Sequence, residues 1–260
     1  MGAFVDRVAR RFRMSEAELE FLERLEAKPV ALSRGHVLVR AGDPAEQAFV
    51  LMTGWAMSYT RFPDGSHQVR RLHFPGDLLA MPSVPMRRHA EDIEGLSDCV
   101  VAPFPKRLLT RLFRLPRLAA VMYMLAQAER ITAGDRLASM GRAPAKSRIA
   151  FLLLDIVHRL RSTDSSVTSS FRLHLTREQM AQVTGMTPVH ASRMWSELVA
   201  RRYIAVDGPF LTILDEPGLH DLAGYTERES DFDHAWLNAV DLAIEPPPLS
   251  QEHDVGSCYD

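Results

Sequence analysis

The chain has 260 residues, 46% of them hydrophobic and 25% charged, with a formal net charge of −2. That balance belongs to ordinary folded domains, and the length allows two separate cores. It excludes a strongly cationic body, and Cys99 and Cys258, far apart, argue against a disulfide scaffold, a zinc finger or a four-thiolate iron–sulfur cluster.

Residues 2–28 read as helical. Ser15 and Glu18 have the spacing of a capping box, with Leu19, Leu22 and Leu25 as an apolar stripe behind it. Arg7, Arg10, Arg11 and Arg13 look like a nucleic-acid arm, but a solvated helix face is the expectation. From Val30 to Pro103 short extended runs alternate with turn residues. The best strands are Val37–Val39, Ala48–Met52, Trp55–Thr60, Val69–Phe74 and Cys99–Ala102, with Gly35, Gly42-Asp43-Pro44, Gly54, Pro63-Asp64-Gly65 and Pro75-Gly76-Asp77 between them. Such spacing predicts a small β-sandwich or barrel-like roll.

Phe104 to Arg114 returns to a helical pattern, which Leu115-Pro116 breaks. A long helix is predicted from Arg117 to about Met140. Leu118, Val121, Leu125, Ala128 and Ile131 recur at threes and fours, and pairing of this stripe with its copy in a second subunit is the expectation, with packing onto the sensor core as the alternative. Gly141 to Pro144 reads as a hinge and Ser147 to Arg161 as another amphipathic helix. A polar loop, Ser162 to Ser170, then leads to a strand from Phe171 to Leu175.

Thr176 to Ile204 is the most informative stretch. Thr176 with Gln179 forms a second capping-box spacing, and Gly185 supplies the left-handed exit that a sharp turn needs. Thr187 caps the next helix, with Pro188 at its first position. The two turn signals lie so close together that the helices must cross steeply, as in a helix-turn-helix. Ala191, Met194, Trp195 and Leu198 share one face of the second helix, while Val189, Arg193 and Ser196 project from the other. An outward arginine suits guanine O6 and N7, and valine suits a thymine methyl. Lys146, Thr176, Arg177, Thr187, His190 and Ser192 are the candidate phosphate contacts, which fix register without reading sequence. Tyr203–Val206, Asp207-Gly208-Pro209 and Phe210–Leu214 make a hairpin, so this module reads as a winged helix.

The local charge fits. Between Arg136 and Arg202 basic residues outnumber acidic ones at least two to one. Beyond Asp215 one short helix is expected around Leu219 to Ala223. The rest, through Glu245-Pro246-Pro247-Pro248, reads as an acidic, mobile tail on which Trp236 and Leu237 can dock back. The predicted division is residues 1–115 for the N-terminal helix and β-roll, 116–141 for the long helix, 142–222 for the winged helix-turn-helix and 223–260 for the tail.

A β-roll, a long helix and a winged helix, in that order, resemble the CRP/FNR family of bacterial transcription regulators. The resemblance spans roughly Leu32 to Leu222. It rests on Val39-x-x-Gly42-Asp43, Gly54, Pro75-Gly76-Asp77, Ser147-Arg148-Ile149-Ala150 and Leu175-Thr176-Arg177-Glu178-Gln179. It implies an α+β fold with a cyclic-nucleotide-binding-like jelly-roll, a homodimer on a near-palindromic DNA operator, and contact with RNA polymerase.

The cyclic-nucleotide branch of that family carries Gly-Glu-Leu after Pro-Gly-Asp and an Arg-Ser pair shortly afterwards. Here the first stretch reads Ala80-Met81-Pro82 and the second Arg88-His89. The ribose acceptor is missing and Pro82 removes a backbone donor. Met81, Arg88 and His89 are then the candidate pocket for an unknown small effector, and cyclic nucleotide is not expected. For haem, His73 and His89 are the candidate ligands, yet both are expected to be ordinary surface or hydrogen-bonded residues. No cofactor or metal is expected. Many relatives have glutamate where this chain has Val189, so the operator should differ at that base pair.

Two other classes compete. A cupin-type enzyme needs clustered His and Glu ligands, and His67 and His73 do not form a His-x-His pair. A ligand-sensing module without DNA activity is opposed by the winged helix. No apolar run reaches membrane-spanning length and no signal-peptide order opens the chain, so a cytoplasmic, non-enzymatic protein is expected.

Overall fold

The computed structural model describes residues 2–242. Helix α1 (Ala3–Ala9) and helix α2 (Glu16–Leu25) lie within the helical stretch expected over residues 2–28, separated at the expected Ser15–Glu18 capping box. The reason is local. Ser15 takes the extended conformation of an N-cap (ψ 163°) and accepts from the Glu18 N–H, while Glu18 accepts from the Ser15 N–H at 2.8 Å. A helix cannot run through a residue held that way.

Eight strands follow: β1 (Val30–Leu32), β2 (Val37–Val39), β3 (Gln47–Thr53), β4 (Ala56–Arg61), β5 (His67–His73), β6 (Leu78–Leu79), β7 (Asp92–Gly95) and β8 (Cys99–Pro105). They form two antiparallel four-stranded sheets, β1-β8-β3-β6 and β2-β7-β4-β5. Val39, Phe49, Leu51, Leu79, Ile93 and Val101 are buried together in one core of this roll. The five predicted strands are all present. The unpredicted ones are short, and β7 carries Asp92, Glu94 and Gly95, which hide its strand character. Residues 104–114 are not one helix: β8 runs on to Pro105 and a 3-10 helix covers Lys106–Arg114.

Helix α3 (Pro116–Arg142) has 27 residues and Pro116 in its first turn. Leu118, Val121 and Leu125 are buried in this same chain, in a cluster with Phe4, Val8, Leu22 and Phe104, and Ala128 is buried as well. That corrects the expected inter-subunit stripe. Of its five residues only Ile131, 48% exposed, faces solvent. Apolar spacing reports that a face is buried, not what buries it. The exposed side of α3 instead carries Tyr123, Ile131 and Leu137.

After a break at Ala143-Pro144 comes α4 (Ala145–Thr163), then β9 (Ser170–Arg172), α5 (Arg177–Thr184), α6 (Pro188–Ala200), β10 (Ile204–Asp207), β11 (Phe210–Ile213) and α7 (Glu216–Ala223). The three short strands pair in the order β10-β11-β9. A 3-10 turn at Glu229–Asp231 and helix α8 (His234–Leu242) complete the described chain. Residues 223–242 are therefore folded, contrary to the mobile tail expected. Leu237 is buried against the α1–α3 cluster, and Trp236 stands 6.2 Å from Tyr123, ring to ring. Residues 243–260, with the proline run and Cys258, lie outside the described residues.

The roll and the C-terminal module share a core. Trp55, Met57, Leu72 and Phe74 of the roll belong to one buried cluster with Ile149, Leu153, Ile156 and Leu160 of α4 and with Met180 and Trp195. At its edge lies Asp77, 2% exposed, from the turn after β5. It accepts from Arg7 of α1 at 2.6 Å, from the Phe74 N–H at 2.9 Å and from Arg159 of α4, with Arg71 at 3.5 Å. Arg7 is thus a buried ion-pair partner and not a solvated or nucleic-acid-binding residue. Burial alone raises the Asp77 carboxyl, but Arg159, Arg71 and Arg7 outweigh it and hold it far below the usual carboxylate range. Gly76 makes the approach possible. Its φ is +84°, and a Cβ there would stand 2.9 Å from the Ala3 carbonyl oxygen and 3.1 Å from Thr163.

Arg71 also grips Glu129 of α3 with both carboxylate oxygens at 2.5 Å, and Arg136 of α3 reaches Asp155 of α4 at 2.9 Å. Removing the Asp77 charge strands several guanidinium groups in partly dry surroundings. Asp77→Asn is expected to lower unfolding stability by about 3–5 kcal/mol, read from the shift of the urea midpoint.

Candidate nucleic-acid interface

The pair α5–α6 is built by its caps. Thr176 and Gln179 exchange both capping-box hydrogen bonds, at 2.9 and 3.1 Å. Gly185 takes the left-handed conformation (φ 64°, ψ 42°) that turns the chain out of α5. Thr187 accepts from the His190 N–H at 3.3 Å and Pro188 begins α6. Ala191, Trp195 and Leu198 fix one face of α6 in the core. Val189, 82% exposed, then Arg193 and Ser196 run along the opposite face at spacings of four and three. An α-helix with this exposed edge is narrow enough to enter a DNA major groove.

The supporting residues divide. Thr187 stands at the start of α6 and Ser192 a little over one turn further on, each with a hydroxyl able to donate to an anion. The His190 ring nitrogen Nδ1 is 3.3 Å from the Arg193 guanidinium, so that side chain lies back along its own helix. The Arg177 guanidinium stacks 3.8 Å from the centre of the Trp195 ring, which holds the cation at the mouth of the turn. Lys146 is differently placed from a free phosphate ligand: its ammonium pairs with Glu197 of α6 at 2.6 Å, and Arg201 reaches the same carboxylate at 3.1 Å. The Lys146 hydrogen bond and the neighbouring cations hold the Glu197 carboxyl below its usual range.

On the roll, Met81, Arg88 and His89 do not surround one cavity. Met81 lines a cleft with Phe4, Leu78, Met122 and Leu125, under the N-terminal helices. Arg88 donates to the Gly42 carbonyl at 2.7 Å, and the His89 N–H bonds to the Asp43 carbonyl. His73 and His89 are not surface residues either. Both are buried, and no hydrogen-bond partner stands at either His73 ring nitrogen or at Nδ1 of His89. Burial, with Arg71 alongside, keeps the His73 ring neutral well below its usual titration range. The feature the sequence did not suggest is a small cleft of about 60 Å³ between the roll, α3, α4 and the segment before α8, lined by Arg70, Arg71, Glu129, Arg136, Asp155 and Arg228. Its residues come from four separate elements, and none sits in a recognisable motif.

Comparison with known proteins agrees with this architecture. A Crp-like helix-turn-helix domain matches residues 147–222, and a cyclic nucleotide-binding domain matches residues 29–115. The chain belongs to the CRP/FNR family of transcription regulators. It is 26% identical over 218 residues to the fumarate and nitrate reduction regulatory protein of Escherichia coli, covering 84% of this chain and 87% of that one. To the anaerobic regulatory protein of Haemophilus influenzae it is 26% identical over 214 residues, covering 82% and 83%. Among solved structures, FixK2 from Bradyrhizobium japonicum superposes with a TM-score of 0.69 at 23% identity, covering 76% of this chain and 98% of that one. A CRP/FNR-family regulator of Thermus thermophilus gives 0.56 at 20% identity, covering 76% and 99%. The chain is a regulator of that type, with a DNA-binding helix-turn-helix and a sensory β-roll.

Glu197 is an acidic group set among Lys146, Arg193 and Arg201. Glu197→Gln frees Lys146 and Arg201 for the DNA backbone. Affinity for random duplex should rise, and the slope of log affinity against log salt should steepen by roughly one to two units, measured by fluorescence anisotropy.

Proposed function

We propose that this regulator binds a near-palindromic operator as a homodimer, α6 of each subunit entering the major groove. The reading rests on the exposed row Val189, Arg193, Ser196 on a helix whose other face is locked in the core. Arg193 swings from His190 to donate to guanine O6 and N7, Val189 meets a thymine methyl, and Ser196 reaches a further base edge. Thr176, Arg177, Thr187, His190 and Ser192 serve the phosphates, and Lys146 acts mainly by orienting Glu197. Arg193→Ala is expected to weaken specific binding by about 1–3 kcal/mol and relax one position per half-site. Operators are first selected from random duplexes and then titrated at fixed salt. Unchanged affinity removes Arg193 from the readout.

Two recognition helices have to be held about one turn of DNA apart. The exposed side of α3, with Ile131 and Leu137 as its apolar residues, is the surface for pairing in this proposal, in place of the buried stripe. Leu137→Asp is expected to convert the dimer to monomer in sedimentation equilibrium and to abolish operator binding while leaving the circular dichroism spectrum intact.

The partners are then double-stranded DNA, a second copy of the chain and RNA polymerase, in the cytoplasm and without catalysis. Among the described residues no helix is long and apolar enough to cross a membrane. Met81 stands where the cyclic-nucleotide branch has its ribose acceptor, and Arg88 is engaged with a backbone carbonyl. The effector in this reading is therefore not a cyclic nucleotide. The arginine-lined cleft between roll and α4 is a better placed sensor site, because a ligand there touches α3, α4 and β5 at once.

A further inference from the structure

Three residues that play no part in the DNA surface meet between α4 and α7. Glu216 and His220 stand one turn apart on α7 and face His158 of α4. His158 Nε2 is 3.2 Å from His220 Nε2 and 3.6 Å from Glu216 Oε1. Their ligand atoms all lie within 4.8 Å of one another. We propose that His158, His220 and Glu216 form a binding site for a divalent transition-metal ion of the zinc class.

The argument turns on which ring nitrogens carry protons. His220 Nδ1 lies 3.4 Å from the Tyr225 carbonyl oxygen, which can only accept, so Nδ1 bears the hydrogen. His158 Nδ1 lies 3.6 Å from a Glu227 carboxylate oxygen, on the side of the ring away from His220, so a hydrogen on Nδ1 has an acceptor nearby when Nε2 binds a cation. With the hydrogen on Nδ1 of both rings, the two Nε2 lone pairs stand 3.2 Å apart. Two lone pairs at that separation repel unless a cation stands between them. Metal-ligating histidines commonly show this outer arrangement, one nitrogen donating to a carboxylate or backbone carbonyl and the other facing the ion.

The spacing fits. Bonds of about 2.0–2.1 Å in tetrahedral geometry place neighbouring ligand atoms about 3.3–3.4 Å apart. Two imidazoles and one carboxylate suit zinc and its neighbours, with water in the fourth position, better than magnesium or calcium. Arg161 holds both oxygens of Glu216, at 2.7 and 2.9 Å, and each oxygen keeps a second lone pair. The Tyr225 ring stacks on His158 at 5.3 Å and closes one side. A bound ion clasps α7 and the Tyr225–Arg228 segment to α4, next to Arg159 and its contact with Asp77.

The competing occupant is a single proton shared by the two imidazoles. Tag-free full-length protein, stripped with chelator, is titrated with zinc chloride against a chromophoric chelator, with metal content read by mass spectrometry. One zinc per chain and a raised melting temperature are expected. His158→Ala and His220→Ala should each bind tenfold or more weakly, and cobalt substitution should give tetrahedral visible absorption that His220→Ala loses. His220→Gln, which keeps a polar side chain on α7, serves if an alanine variant fails to fold, with circular dichroism without metal as the check. No zinc binding at micromolar concentration leaves the proton as occupant and overturns the site. So does zinc binding in the variants that equals that of the unaltered chain.

Discussion

A carboxylate removed from water is stable only where positive charge surrounds it, and Asp77 sets that condition for the whole molecule. Its partners come from α1, β5 and α4, three segments that have no reason to meet otherwise. Desolvating this cluster costs several kcal/mol for each ion, and the attraction offsets that cost only when every partner is in place. The N-terminal helices, the roll and the first helix of the DNA-binding module are therefore fixed in relation to one another. Arg159 adds to this by lying over the Phe74 ring, 4.7 Å from its centre, and by donating to the Leu72 carbonyl at 2.8 Å. The orientation of α6 is inherited from this contact, because α4, α5 and α6 share one core.

A regulator needs a route by which events in the roll alter the DNA surface, and the arrangement supplies two. One runs through Asp77 and Arg159 into α4. The other joins the β4–β5 hairpin to α5, where the Gln68 side chain donates to the Gln182 carbonyl. The arginine-lined cleft abuts the first of these, since Arg71 and Arg159 belong both to its wall and to the Asp77 cluster. In the proposed reading, a ligand that competes for those guanidinium groups would weaken the hold of Asp77 on α4 through charge.

What the sequence disclosed follows a physical rule. The helix-turn-helix was legible because caps and turns are local: Thr176, Gln179, Gly185, Thr187 and Pro188 act on backbone atoms within four residues. The strands of the roll were legible where turn residues bounded β-branched runs, and were missed where they were two to four residues long or acidic. Long-range pairings left no trace. Nothing in Arg7 distinguishes a solvated arginine from one buried against a residue 70 positions away. Leu118, Val121 and Leu125 gave the correct period and the wrong partner. The pairing of Lys146 with Glu197, 51 residues on, leaves no local signal, and Glu216 and His220 are silent without His158.

The Asp77 cluster also bears on how the chain reaches its native state. Its ion pairs close loops of 70 and 82 residues. Entropy makes such closures only slightly more costly than short ones, but contacts between remote positions form slowly. During synthesis Asp77 leaves the ribosome long before Arg159, so a nascent roll holds an acid whose counter-ions are incomplete. The roll and the winged helix are thus poorly suited to maturing as independent beads. They should gain and lose order in a single cooperative step, with the last-made half acting as the latch for the first.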